Sequence, residues 1–240
     1  KSIKKIALEF TGHTFAEGGE TILNELARHH AKASFFLTGD FLDNPKFEPL
    51  TRRIIEDGHY LGPHSDKHLL YCPWDGPKIT SIPRAAFDHD LLDNLQKIQK
   101  FEVVPPVGYW LPPYEWYNQE IVDWSRKKGR VLINYTPGTR SNADYTEDAA
   151  TNFVSSKVIY ESIVRKERED PHGLNGFLLL MHIGVGPGRT DKMHDHLGEL
   201  LDYLSGKGYK FVRVDQLLNP NEGPEPNQPL FRTPRRRRLQ

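Results

Sequence analysis

Histidines at the ends of apolar runs are the residues of this chain best placed to do chemistry. "GPHSDKH" holds His64 and His68 four residues apart, and one helical turn would set both imidazoles on the same face. That spacing suits two nitrogen ligands on one metal ion; it equally suits two surface histidines after a turn. "GFLLLMHIG" is a buried strand that closes on His182, a position that serves either acid–base work or a capped core histidine. "WLPPYEWYN" places two prolines before Tyr114. They stiffen the segment and leave the Tyr114 amide N–H free to face a pocket, as a developing oxyanion requires; a plain proline-rich turn would read the same way. "LEFTGHTF" adds His13 just after the first apolar run.

These residues must be positioned by the elements around them. Short β-branched and aromatic runs predict strands at Ile3–Phe10, Ala33–Leu37, Tyr60–Pro63, Val107–Trp110, Val131–Ile133, Phe177–His182 and Phe211–Val214. Amphipathic stretches between them predict helices at Gly19–His30, Phe47–Asp57, Arg84–Phe101, Asn118–Lys128, Thr151–Arg168 and Asp191–Lys207. Strand and helix in strict alternation imply an α/β fold with a parallel sheet and helical crossovers. Seven such units suit a small barrel. In a parallel barrel the site gathers at the C-terminal ends of the strands, and His13, His64, His68, Pro112–Tyr114 and His182 all fall there. Two long irregular stretches, Cys72–Ile82 and Thr136–Ala149, have the length of functional loops. The barrel is expected over residues 1–219. Residues 220–240, rich in Pro and Arg and without periodicity, read as a C-terminal tail.

Composition excludes several other classes. The 32 basic and 32 acidic residues cancel, and four of the bases form the Arg235–Arg238 run, leaving 28 against 32 in the body. Such a body is no basic nucleic-acid binder. The single cysteine, Cys72, excludes an intrachain disulfide and a thiolate zinc cluster. Apolar runs of about six residues are far short of a membrane span. The chain opens on Lys1 rather than Met, as a processed or truncated product would.

Taken in order, "EFTGH", "HSDKH", "LPPY", "ADY" and "LMH" resemble the motif series of the NodB-type polysaccharide deacetylases, carbohydrate esterase family 4. "KASFFLTG" and "GHYLGPHS" resemble that family's framework, and the likeness runs from about Ile3 to Leu218. The resemblance implies a distorted (β/α)7 barrel and metal-dependent removal of acetyl groups from carbohydrate. It implies that His64 and His68 bind a divalent metal, usually zinc, which polarises the acetyl carbonyl and activates water. It makes His182 the general acid, tuned by Asp144, with Asp148 a weaker choice for that role. The Tyr114 amide would hold the oxyanion with the metal, and Leu180 would shape the pocket for the acetyl methyl.

The first motif departs from the family pattern. Thr11 stands at the position of the family's base and Gly12 at that of its acidic metal ligand, while Leu111 replaces the arginine that tethers the base. These losses agree with one another, because a buried arginine without its carboxylate would be an unpaired charge. His13 lies one residue beyond the missing ligand, and its imidazole is expected to take that place in a His13–His64–His68 site; a base, a substrate contact or a bystander are its other readings. Zn would suit such a site, and so would Co or Ni. Glu9, Glu17, Asp66 and Glu115 lie near the motifs as possible replacement bases. Trp74, Trp110, Pro113 and Trp116 are expected to face sugar, since flat aromatic faces suit the C–H faces of sugar rings, with Tyr117 and Tyr135 nearby.

The sequence therefore reads as a hydrolase that frees N- or O-linked acetyl groups from an acetylated carbohydrate through metal-activated water. A carbohydrate-binding protein that has lost catalysis, and a hydrolase of another non-peptide C–N bond, are the competing readings. A polymer substrate places the protein outside the cytoplasm of a bacterium: periplasmic, surface-bound or secreted.

Overall fold

A computed structural model describes residues 3–102 and 108–219. The first strand, β1 (Lys4–Gly12), lies at the centre of a parallel sheet. One of its edges pairs with β6 (Phe177–His182) from Ile6 to Thr11. The other takes β2 (Ser34–Leu37) from Glu9 to Gly12, and β7 (Tyr209–Phe211) lower down from Lys4 to Ile6. Beyond β2 comes β3 (Tyr60–Pro63). A separate parallel pair is formed by β4 (Tyr109–Trp110) and β5 (Val131–Leu132). Backbone hydrogen bonds tie this pair to the sheet on both sides, Leu111 N–H to Pro63 O at 3.2 Å and Thr136 N–H to Leu178 O at 2.9 Å. The strands thus curl round a common interior as a distorted barrel of seven strands, without a continuous ladder.

Period-two alternation sorts the side chains. Ile6, Leu8 and Phe10 of β1, with Leu179 and Met181 of β6, point outward into the largest core, beneath the helices. Ala7 of β1 and Leu178 and Leu180 of β6 point inward, where they meet Phe36, Tyr60, Tyr109, Leu111 and Ile133. Glu9 and Thr11 share the inward face with Ala7, and both are buried.

The helices are α1 (Gly19–Arg28), α2 (Gly39–Asp43), α3 (Glu48–Glu56), α4 (Arg84–Gln99), α5 (Gln119–Lys127), α6 (Ser156–Glu169), α7 (Leu197–Gly206) and α8 (Val214–Leu218). The six expected from the sequence are present with ends moved by a few residues. Thr151 to Ser155 precede α6, whose start is set by the Ser155 side chain accepting from Val158 N–H. Asp191 to His196 include a 3-10 turn before α7. Two short helices escape the periodicity argument because each is only five residues long: α2, capped by Thr38, and α8. The last strand ends at Phe211, because Val214 already begins α8. Val107, expected to open the fourth strand, lies outside the described residues, as does the 220–240 tail.

One buried charge organises the long loops on the barrel's top. Arg189 is 0% exposed. Its guanidinium donates to Thr146 O and Val154 O at 2.9 Å, to Ser156 Oγ at 3.1 Å and to Asp191 O at 2.5 Å. Removing it would leave several buried carbonyls without donors, at roughly 1–3 kcal/mol each. Arg189→Met is expected to lower unfolding free energy by about 3 kcal/mol or more, read from a urea titration. A loss below about 1 kcal/mol would mean the loops hold themselves.

Candidate active site

The C-terminal ends of β1, β3 and β6, with the segments after β4 and β5, enclose a cavity of about 520 Å³. His13, His64, His68, Trp74, Tyr114, Trp116 and His182 line it, together with Phe15, Glu115, Tyr135, Asn142 and Tyr145. Sequence reasoning did not single out Phe15, Asn142 and Tyr145. Each flanks a motif residue, and that proximity was the available signal.

The His64–His68 segment is held by α4. Asn94 accepts from His64 N–H at 2.9 Å and donates to Leu37 O at 3.1 Å. One turn earlier, Asp90 accepts from Lys67 N–H at 2.7 Å and Tyr71 OH at 2.7 Å. The segment is not the helical turn expected from its four-residue spacing. Ser65 and His68 have φ of 67° and 54°, so the chain makes an irregular turn, closed by His68 N–H on Ser65 Oγ at 2.9 Å. The two rings still meet, with centroids 5.1 Å apart. His13 stacks on His68 at 4.8 Å.

Hydrogen bonds settle which nitrogens face the cavity. His64 Nδ1 donates to Leu111 O at 2.8 Å, leaving Nε2 as its free donor atom. His13 Nδ1 is engaged with the Thr38 hydroxyl at 3.1 Å, which again leaves Nε2. Burial holds His64 down at about 3 and His68 at about 2, and it lowers His13 as well. All three are neutral at neutral pH, the form that binds metals. Their chemistry and shared wall fit a nitrogen-ligated divalent cation. Among the described residues, however, no three donor atoms are already gathered round one point; His13 and His68 lie with their rings nearly parallel, 14° apart.

The opposite wall carries His182. Asp144 accepts from the His182 amide at 2.9 Å and from its Nδ1–H at 2.6 Å. The imidazole is thereby fixed with Nε2 toward the cavity. Burial opposes a charge on this ring, but the Asp144 carboxylate outweighs it and raises the pKa of His182, with Glu115 adding to the effect. Asp148 instead accepts from Thr190 at 2.6 Å and plays no part here.

Tyr114 and Glu115 have φ of 59° and 53°, so the chain reverses sharply at the cavity's edge. Trp74 is 53% exposed and packs against Tyr114 and Trp116 at 5.3 and 5.6 Å. Trp110 does not reach the cavity. It is fully buried against Tyr71 and Phe87, because strand alternation turns it to the α4–α5 side. Leu180 lies beneath the floor, and Pro113 is buried behind Tyr114.

No carboxylate ends β1, and the space for one at Gly12 is closed. A Cβ there would lie 2.7 Å from Ile183 Cγ2 and 2.8 Å from Leu37 Cδ2. Of the four acids near the motifs, Glu17 is occupied by Val185 N–H, Gly186 N–H and Lys192. Asp66 pairs with Lys97 at 2.6 Å. Glu9 is 0% exposed, and neither of its carboxylate oxygens has a hydrogen-bond partner.

The family model described as polysaccharide deacetylase matches residues 2–133. The chain belongs to the polysaccharide deacetylase family. Among its relatives is a peptidoglycan-N-acetylglucosamine deacetylase of Bacillus cereus, 21% identical over 91% of this chain and 70% of its own length. Another, from Listeria monocytogenes, is 27% identical over 90% of this chain but only 39% of its own length. Solved structures give the same fold. The carbohydrate esterase domain of a xylanase from a Trinervitermes trinervoides hindgut metagenome superposes with a TM-score of 0.69 at 21% identity, covering 91% of each chain. A family 4 pseudoenzyme from Bacillus anthracis superposes with a TM-score of 0.68 at 19% identity, covering 91% of this chain and 66% of its own.

Burial, with the nearby Glu115 charge, raises Glu9 to about 8 in this deacetylase fold. Unfolded, the same group loses its proton near 4.5. Folding therefore takes up a proton between those values, and its stabilising effect is complete below the unfolded pKa and lost as pH rises through the folded one. Glu9→Gln, which has no proton to lose, is expected to flatten that fall. Urea midpoints at pH 5 and pH 8 should show the variant gaining roughly 3–4 kcal/mol on the wild type at the higher pH. Parallel behaviour of the two proteins would count against a protonated Glu9.

Proposed function

We propose that this polysaccharide deacetylase removes N- or O-linked acetyl groups from a carbohydrate polymer or oligosaccharide. The observation that carries the reading is the Asp144–His182 pair, 2.6 Å apart, opening into an aromatic-walled cavity opposite three neutral histidines. A pure sugar-binding site has no use for an imidazole whose proton affinity is raised. A divalent cation, Zn or alternatively Co or Ni, held by His13, His64 and His68 would polarise the acetyl carbonyl and ease ionisation of water. His182 Nε2 gives its proton to the departing nitrogen or oxygen, while Asp144 holds the ring and offsets the charge it carries beforehand. The Tyr114 amide, fixed by its left-handed backbone, receives the negative oxygen of the tetrahedral intermediate. Leu180 bounds the acetyl methyl from below, and Trp74 and Trp116 offer the faces for sugar rings.

The two bacterial relatives support a cell-wall glycan as substrate, and with it a place outside the cytoplasm: periplasmic, surface-bound or secreted. No helix among the described residues is long and apolar enough to cross a membrane. Residues 1–219 are proposed as the catalytic unit and 220–240 as a separate tail. The closed space at Gly12 and the ungathered donors favour a second reading, a carbohydrate-binding protein on the same barrel.

Acetate release from chitooligosaccharides, peptidoglycan fragments and acetylxylan, measured on metal-stripped protein with and without Zn²⁺, separates the two. Release that depends on the metal is expected, and His182→Ala should slow it by roughly 10²–10⁴-fold. Glycan binding with no release under any metal would leave only the binding protein. In a zinc titration, His13→Ala is expected to lose tight binding of the single equivalent; unchanged affinity would remove His13 from the ligand set.

A further inference from the structure

Two of the four acids near the motifs are spoken for, and the remaining two converge under the cavity. β1 and β6 run in register, so Thr11 lies beside His182 and Glu9 beside Leu180, one inward layer deeper. Glu9, at 0% exposure, has two oxygens without partners, and Thr11 Oγ1 just above it has none either. Unpaired buried oxygens in a polar recess are sites for ordered water. Glu115 reaches the same place from the other side. Glu115 lines the cavity, and its carboxylate makes no hydrogen bond or ion pair among the described residues.

The backbone brings it there at a cost. Tyr114 and Glu115 are consecutive non-glycine residues at positive φ, 59° and 53°. Glycine would hold this reversal without strain, and strain retained at a glutamate is a feature of functional positions. Resting on the deacetylase reading above, we infer that Glu115 takes the proton from the attacking water, replacing the carboxylate that β1 lacks.

A water O–H bond breaks as its proton passes to a Glu115 carboxylate oxygen, and the water oxygen's electron pair forms the bond to the acetyl carbon while the carbonyl π pair moves onto its oxygen. That pair re-forms the carbonyl as the C–N or C–O bond breaks with its electrons on the leaving atom, which takes the His182 Nε2 proton. Acetic acid departs and ionises in solution, Glu115 returns its proton to solvent and His182 takes one up. The groups facing Glu115 are Asp144 from the loop after β5, His182 from β6, Glu9 from β1 and Tyr135 after β5. Burial raises Glu115 to about 7, His182 opposing and Asp144 adding to the shift. A carboxyl raised that far lies near neutral pH, where a general base is most effective.

The experiment compares wild-type, Glu115→Gln and Glu115→Gly proteins on whichever acetylated glycan the wild type hydrolyses, across a pH range bracketing 7. Both variants are expected to be about 100-fold slower or more, to lose the rise in rate centred near pH 7, and to keep unchanged KM. Formate should restore the glycine variant and leave the wild type unaffected. The glycine variant is expected to melt no lower than wild type, because it relieves the positive φ; should it fail to fold, the glutamine variant decides. A glutamine variant within about tenfold of wild type with the same pH profile overturns the inference and leaves the deacetylase standing. A wild type that releases no acetate from any glycan with any metal overturns the deacetylase reading itself, and Glu115 as base falls with it.

Discussion

β1 hydrogen-bonds to three other strands, and everything in this site depends on that. A strand with both edges paired cannot slip by one residue without turning its whole apolar set to the wrong face. Ile6, Leu8 and Phe10 are locked outward into the main core, so Ala7, Glu9 and Thr11 must face the barrel interior. The same ladder sets Thr11 beside His182. The end of the strand, where a carboxylate would be expected, therefore carries a hydroxyl, a glycine packed against Ile183 and Leu37, and then a histidine.

The other histidines are held by different means. His64 and His68 sit on an irregular turn whose amides are satisfied by two α4 side chains, Asp90 and Asn94, one helical turn apart. His182 is held by both oxygens of Asp144, and Asp144 rides on loops gathered by buried Arg189. The rings of His13, His64 and His182 are thus each fixed by a group on another element. That arrangement leaves their Nε2 atoms free toward a common cavity without using ligand bonds to do it.

The site's electrostatics rest on few charges. Thr11 at the end of β1 and Leu111 after β4 carry none. The acids near the floor, Glu9 and Glu115, are both raised by burial. His182 is the one cavity histidine that is raised, because Asp144 is hydrogen-bonded to its ring.

The fold was legible in the sequence because burial forces periodicity: β3 and β6 fall where the apolar runs stand, and the long helices shift only at their ends. Asp144 is named from "ADY" through the family resemblance alone, whereas His64, His68 and His182 also stand at predicted strand ends, which gather in such a barrel. Spacing alone could not show that the histidine pair rides on a turn with positive φ, because the hydrogen bonds that impose it come from α4. Nor could it show that Trp110 faces the core; a two-residue strand carries too little alternation to tell its sides apart. The four acids near the motifs were equivalent in sequence. Only tertiary structure separated Glu17 and Asp66, bound to their own partners, from Glu9 and Glu115, because desolvation and the absence of a partner belong to the folded surroundings and not to the residue.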